Sequence, residues 1–206
     1  MKTDQELFWK GEFGKNYIVR NNDEELIASS TSFFSRILNS TSDDISSVVE
    51  FGCNIGINLV SLKRLLPNSS ITGVEINSSA ASIARKLGIA EIVEDSILEV
   101  NLDKKYDLTF SKGVLIHINP EYLVDAYRRL YMHSNNYIVI AEYYNPSPVS
   151  INYRGHKNRL FKRDFAGDMM NLYSGLTLVD YGFVYHKDPI FPQDDISWFL
   201  MKKHSV

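Results

Sequence analysis

Short apolar runs alternate with amphipathic stretches along this chain. Residues 46–51 form a β-rich run, and residues 58–66 carry Leu59, Leu62, Leu65 and Leu66 at helical spacing until Pro67, where a helix cannot readily continue. Residues 71–75 read as a second buried strand. Asn77-Ser78 caps a predicted helix through Leu87 that ends at Gly88, and Asn119-Pro120 serves as cap and first position of another through about Tyr131. Residues 137–142 make a further strand, and residues 176–186 and 196–202, separated by a Pro-containing loop, fit a terminal hairpin. The order predicts an α/β fold: a doubly wound, mostly parallel sheet closed by an antiparallel pair.

The most informative junction is Val48-Val49-Glu50-Phe51-Gly52-Cys53-Asn54-Ile55-Gly56. An apolar run that ends in an acid and two glycines, then turns into an amphipathic stretch, reads as strand, tight turn and helix around a nucleotide-like ligand. In a parallel pair the loops at the carboxyl ends of neighbouring strands open onto one crevice, which would bring Gly52, Gly56 and Glu75 together. Glycine admits close approach of backbone N–H groups, and the Glu75 carboxylate can accept hydrogen bonds from both hydroxyls of a ribose. An adenosine ligand suits such a site. A dinucleotide suits it less, because Asn54 stands where G-x-G-x-x-G has its second glycine and Asn58 near the third, and because a chain of this size lacks room for a separate substrate domain.

Glu50, Gly52 and Gly56 resemble motif I of the S-adenosylmethionine-dependent methyltransferases, E/D-x-G-x-G-x-G, with Asn54 at the place of the middle glycine. Residues 91–96 resemble that superfamily's third strand with its acidic end, and residues 106–118 its fourth strand and following loop. The resemblance implies a Rossmann-like class I fold with a seven-stranded sheet. It also implies S-adenosylmethionine as cofactor, held along Glu50, Gly52, Cys53, Asn54, Gly56, Glu75 and Ile76. Asp95 would meet the adenine amino group with Ser96 beside it, and Lys112 would lie on the crevice side of the fourth strand. Over nearly its full length the chain is similar to methyltransferases associated with pseudaminic acid biosynthesis. Phe8-Trp9-Lys10-Gly11-Glu12-Phe13-Gly14, Ala141-Glu142-Tyr143-Tyr144-Asn145-Pro146, Tyr153-Arg154-Gly155-His156 and Phe191-Pro192-Gln193-Asp194-Asp195 carry that likeness.

The resemblance also implies an amino-terminal helical lid, residues 1–40, in which Tyr17 and Arg20 would meet the methionine carboxylate through Arg's bidentate fork. Residues 143–168 are expected as a substrate-side insertion. Arg154, His156, Lys157, Arg159, Lys162 and Arg163 cluster there on an otherwise slightly acidic chain, interleaved with Tyr153 and Phe161. A basic, aromatic lip over the crevice points to an anionic acceptor such as an acidic nine-carbon sugar or its nucleotide conjugate, with Tyr143, Tyr144, Tyr153, Arg154, Lys162 and Arg163 as its contacts. His117 and His156 are the candidate bases for a hydroxyl acceptor. Cys53 occupies a turn that needs a small residue, which favours packing over covalent chemistry. Two alternatives stand beside this reading: a non-catalytic S-adenosylmethionine sensor, with the same basic segment as a partner surface, and a methyltransferase acting on another small anionic metabolite.

Composition narrows the picture further. With 206 residues, 44% hydrophobic and 23% charged, the chain can bury a full core as one domain, and it has no linker or repeat. A net charge of −3 offers nucleic acid no attractive field, and no apolar run approaches a membrane span. A polar amino terminus without a signal-peptide pattern and a single cysteine fit a cytoplasmic protein. Neither H-E-x-x-H nor paired cysteines occur, so no metal is expected.

Overall fold

Val48, Val49 and Phe51 are all fully buried in strand β1 (Ser47–Phe51), the mark of a strand covered on both faces. The computed structural model describes residues 3–14 and 24–204; Tyr17 and Arg20 lie outside the described residues. Around β1 the chain lays down β2 (Ser70–Val74), β3 (Glu91–Val93), β4 (Tyr106–Lys112) and β5 (Ser134–Glu142), then β6 (Val149–Tyr153), β7 (His156–Lys162), β8 (Leu176–Val184) and β9 (Ile196–Lys203). The main sheet has seven strands in the order β3-β2-β1-β4-β5-β9-β8. β1 pairs in parallel with both β2 and β4, Val48 standing beside Ile71 on one side and Leu108 on the other. β9 runs antiparallel to β5 and to β8. The strand order reverses between β1 and β4, where a doubly wound sheet opens its crevice.

Helices cover both faces. Here α1 is Asp4–Lys10, α2 Glu24–Asn39, α3 Ile57–Leu65, α4 Ser78–Lys86, α5 Leu123–Met132 and α6 Phe165–Leu172. Phe33, Phe34 and Ile37 of α2 and Leu59 and Leu62 of α3 pack with Val48, Phe110 and Trp198 on one face. Ala126 and Leu130 of α5 and Met169 of α6 pack with Phe51, Ile138 and Met201 on the other. Within the stretch expected as a lid, α2 therefore forms a core layer, and only Leu26, Ser29 and Ser30 near its start reach the crevice. Asn77 caps α4 as expected, its Oδ1 accepting the N–H groups of Ser79 and Ala80. The helix expected from Asn119-Pro120 opens as a 3-10 turn, Pro120–Tyr122, before α5.

The largest departure lies in residues 143–168. The expected basic loop is a two-stranded antiparallel hairpin, with Tyr153 opposite His156 and a two-residue turn of Arg154 (φ 48°) and Gly155 (φ 86°). Left-handed geometry at both central residues matches the twist of the flanking strands. Most of β6 and the start of β7 are solvent-exposed on both faces, so the sequence carries no alternation that would reveal them.

Phe34→Ala is expected to lower unfolding free energy by about 3–5 kcal/mol through the cavity it leaves, whereas Tyr181→Ala, on an exposed stretch of β8, should change it by less than about 0.5 kcal/mol. Urea denaturation of the two variants checks the assignment; equal losses would contradict it.

Candidate active site

The carboxyl ends of β1, β2 and β4 open into a cavity of about 580 Å³, within the size range of small-molecule sites. Its floor is the turn after β1. The N–H groups of Gly52 and Cys53 donate to the Val74 carbonyl at 2.8 and 3.0 Å, which ties the turn to the end of β2. Gly52 has φ 85°, and a Cβ there would run into the Val114 side chain. Asn54 also adopts a left-handed conformation, φ 48°, which Asn tolerates better than most residues and which explains how it serves in place of the motif's middle glycine.

Glu75 binds this turn to the next one. One of its oxygens accepts the Asn54 N–H at 2.8 Å and the other accepts the Asn77 N–H at 2.7 Å. Burial pushes its carboxyl above the usual range, against the pull of those N–H groups. The Ile76 N–H adds to that pull, and a carboxylate, with about four lone-pair sites, still has acceptor capacity for a ligand hydroxyl. Ile76, Asp95 and Ser96 line the same cavity. Asp95 accepts the Ser96 N–H with Oδ1 at 2.7 Å, and the Ser96 hydroxyl oxygen accepts the Leu98 N–H at 3.1 Å, fixing the bend after β3.

Two residues expected along the cofactor, Glu50 and Gly56, are not part of the cavity lining. Glu50 points to the α2/α3 side of the sheet, beneath the turn, where Oε1 accepts Asn58 Nδ2–H at 2.6 Å and Asn58 Oδ1 accepts the Ser30 hydroxyl at 2.8 Å. Burial pushes Glu50 up to about 8, opposed by the Asn58 hydrogen bond and the nearby Lys112 ammonium. Gly56 backs onto α4, where a Cβ would meet Leu87 Cδ1 at 2.8 Å. Lys112 lines the cavity; burial lowers its pKa, opposed first by the charge of Glu50 and then by Asp194 and Glu142. Cys53 is buried at the cavity floor against Gly73, and burial, reinforced by Glu50 and Glu75, pushes its thiol well above the ordinary range. Such a thiol is a packing group, not a nucleophile.

The opposite end of the cavity is organised by Glu142, fully buried at the end of β5. Its Oε1 accepts the N–H groups of Val114 and Leu115 at 3.0 and 2.9 Å and the Ser111 hydroxyl at 3.2 Å. Burial pushes Glu142 up to about 7 while these donors oppose the shift. The turn it holds is the 3-10 segment Leu115–His117, which presents His117 to the cavity. His117 Nδ1 lies 2.7 Å from the Arg159 carbonyl. A carbonyl only accepts, so Nδ1 carries the proton and Nε2 is left as an acceptor. The ring sits between Trp9, 4.6 Å away, and Tyr153, 5.0 Å away, and burial holds its pKa down to about 4.

The expected substrate residues separate. Tyr143, Tyr153 and Arg154 line the cavity. His156, the second candidate base, instead stacks edgewise on Phe8 and Phe13 at 5.0 and 5.9 Å and ties the hairpin to α1. Tyr144 faces out beside Phe199, Lys162 Nζ lies over the Tyr143 ring, and Arg163 pairs with Asp168 of α6 at 2.6 Å, all outside the cavity lining. Three further residues line the cavity: Glu6 of α1, which no sequence motif marks, and Gln193 and Asp194 of the β8–β9 loop, which belong to a segment that carries the family likeness but are not among the expected site residues. Trp9, which also lines the cavity, belongs to the Phe8–Gly14 segment that carries the same likeness. Among the described residues no cluster of His, Cys, Asp or Glu is arranged to hold a metal, and no helix is long and apolar enough to cross a membrane.

The sequence pattern of the methyltransferase domain matches residues 48–135, the segment from β1 to the start of β5. Among solved structures, a plantazolicin methyltransferase in complex with S-adenosylhomocysteine is similar, with a TM-score of 0.69 and 15% identity, over 98% of this chain and 94% of that one. Magnesium protoporphyrin IX methyltransferase from Synechocystis PCC 6803, with bound S-adenosylmethionine, gives a TM-score of 0.69 at 11% identity over 98% and 99% of the two chains. The fold is that of the class I methyltransferases. An amino pentose methyltransferase from Micromonospora echinaspora gives 0.66 at 11% identity over 93% and 97%. No curated protein matches the chain in sequence.

Two outcomes follow from this geometry. Gly52→Val is expected to abolish S-adenosylhomocysteine binding in a protein that still melts cooperatively, and Glu75→Ala to weaken it by about 1.5–3 kcal/mol; calorimetry showing unchanged affinity would reject the cradle. His117, with its ordinary value of 6.5 lowered to about 4, is protonated in the unfolded chain before the folded one. Between these values the unfolded state binds more protons, so this group makes stability fall as pH falls. His117→Gln should flatten that part of the pH–stability curve, and the wild-type ring should show protonated Nδ1 and bare Nε2 by ¹⁵N NMR at pH 7.

Proposed function

We propose that this chain transfers a methyl group from S-adenosylmethionine to an oxygen or nitrogen of an acidic sugar or its nucleotide conjugate. The match of residues 48–135 to the methyltransferase domain, and a fold shared with structures that hold S-adenosylmethionine or S-adenosylhomocysteine, support that reading. The residues present fit that cofactor: the Glu75 carboxylate keeps lone pairs for the ribose, Gly52 clears a path for close approach, and Asp95 and Ser96 stand at the end suited to the adenine. Bound there, S-adenosylmethionine supplies an electrophilic sulfonium methyl group. The observation that carries the reading is that the one cavity lined by Glu75, Asp95 and Ser96 is lined also by Trp9, His117, Tyr143 and Tyr153, with Arg154 at the hairpin turn; the part around His117 is the chamber this reading gives to the acceptor.

The chain's own contribution is alignment and proton acceptance. His117 is neutral at physiological pH, and its Nε2 is the atom to accept a proton from an acceptor hydroxyl, or from the ammonium formed when a neutral acceptor amine takes the methyl group and the sulfonium leaves as the thioether. Glu142 fixes the turn that carries His117, so it positions the ring without touching the acceptor. Trp9 and Tyr153 enclose the imidazole and keep the chamber poor in water. Arg154 offers a fork for a carboxylate or phosphate at the chamber's rim. The likeness to methyltransferases associated with pseudaminic acid biosynthesis and the placement of this one arginine support an acidic nonulosonic sugar as the acceptor class. The cytoplasm, where nucleotide sugars are assembled, is the compartment that reading implies.

The test offers labelled S-adenosylmethionine with an acidic nonulosonic sugar, its cytidylyl conjugate and a neutral hexose. Methylation of the acidic sugars in preference to the hexose is expected; equal turnover of the hexose would overturn the substrate class. Arg154→Gln should raise the acceptor KM by roughly tenfold with S-adenosylhomocysteine affinity unchanged. Arg163→Gln, which breaks the pair with Asp168, should instead lower the melting temperature and leave KM alone.

A further inference from the structure

α1 begins with a capping box in which the Thr3 side chain accepts the Glu6 N–H and the Glu6 carboxylate accepts the Thr3 N–H. Only Oε2 of Glu6 serves that cap. Oε1 is buried and has no hydrogen-bond partner among the described residues, although Glu6 as a whole is only 8% exposed. The residue lines the cavity one helical turn before Trp9, whose ring lies on His117. A buried carboxylate oxygen without a donor is unfavourable unless something supplies one. A cap alone does not explain it, since capping uses one oxygen.

The chamber wall holds a second vacant acceptor in His117 Nε2, because Nδ1 is committed to the Arg159 carbonyl. Glu6 lies one helical turn before Trp9, whose ring packs on His117, and Arg154, at the turn of the hairpin, lines the same cavity. This is the polarity of a ligand rich in donors at its inner end and anionic at its outer end. Both α1 and the hairpin contribute to that arrangement: Gln5 Nε2 donates to the Asn158 carbonyl, and Phe8 and Phe13 pack on His156, so α1 is held against β7 and Glu6 is held in place with it.

We propose that Glu6 Oε1 is a specificity-determining acceptor for hydroxyl or amino groups of the methyl-accepting substrate, selecting polyhydroxylated or amino-bearing acids over simple carboxylates. The proposal rests on the chamber being the acceptor site, as argued above. It excludes a purely anionic ligand that presents oxygen lone pairs to this wall, because two acceptors would then face acceptors.

Glu6→Gln separates the cap from the recognition. Its amide oxygen still accepts the Thr3 N–H, while its NH₂ replaces the vacant oxygen and reverses the polarity presented to the chamber; Glu6→Met removes both functions and controls for the cap. The probes are N-acetylneuraminic acid and hexanoate, titrated by ligand-observed NMR into wild type and both variants saturated with S-adenosylhomocysteine. N-acetylneuraminic acid should bind wild type and weaken by roughly tenfold or more in both variants, with hexanoate and S-adenosylhomocysteine affinities unchanged and the melting temperature of Glu6→Gln close to wild type. Unaltered binding of the sugar acid in Glu6→Gln, no binding of it to wild type, or a loss confined to S-adenosylhomocysteine would each overturn the proposal. Methyl transfer to the acceptor panel is scored separately, so sugar-acid binding that depends on Glu6 without turnover would reject the proposed reaction and leave this recognition standing.

Discussion

A single buried carboxylate joins the two turns on which the crevice depends. Glu75 leaves the end of β2 and receives one N–H from the turn after β1 and another from the cap of α4. Both donors belong to backbone that has just left a strand, where ladder partners run out, so the side chain completes hydrogen bonding that the sheet cannot. The turn after β1 in turn carries Gly52, whose missing Cβ makes room for Val114 on the loop after β4. Loss of the carboxylate would leave the Asn54 and Asn77 N–H groups without this shared acceptor, while the bonds of Gly52 and Cys53 to the Val74 carbonyl still hold the turn to the end of β2.

Glu142 repeats the device on the far side of the switch point. It gathers the N–H groups that follow β4, so the 3-10 turn bearing His117 is fixed by an acid from the neighbouring strand. Two buried acids thus shape one cavity, the first by joining the turns after β1 and β2 and the second by holding the turn that carries the imidazole. The difference lies in what remains open. Glu75 reaches the cavity with spare lone pairs, whereas Glu142 is sealed beneath its turn and acts only through the groups it holds.

The parts of this arrangement legible in the sequence are those encoded within a few residues. The acid at the end of β2, the glycine after β1 and the Asn cap of α4 announce themselves because strand, turn and helix follow one another directly. Residues 143–168 were harder to read for two physical reasons. The hairpin is exposed on both faces and so shows no alternation, and adjacent residues on an extended chain point in opposite directions. That parity sends Tyr143 into the cavity and Tyr144 out towards Phe199, and it turns Lys162 over Tyr143 while Arg163 reaches Asp168 on α6. A run of basic residues therefore gives one arginine to the chamber instead of three cations. The same parity places Glu50 on the Val48 side of β1, beneath the turn it was expected to line. Glu6 was invisible for a different reason: a capping-box acid looks complete in sequence, and only the fold shows that one of its oxygens is left over.

The proposed methyl transfer requires the cavity to hold adenosine at Glu75 and the reacting end against His117. A crystal structure with S-adenosylhomocysteine bound tests this most directly. Both ribose hydroxyls should lie within hydrogen-bonding distance of the Glu75 carboxylate, the adenine beside Asp95 and Ser96, and the thioether sulfur at the mouth of the chamber formed by Trp9, His117 and Tyr153. A ligand whose ribose avoids Glu75, or whose sulfur faces away from His117, would contradict it.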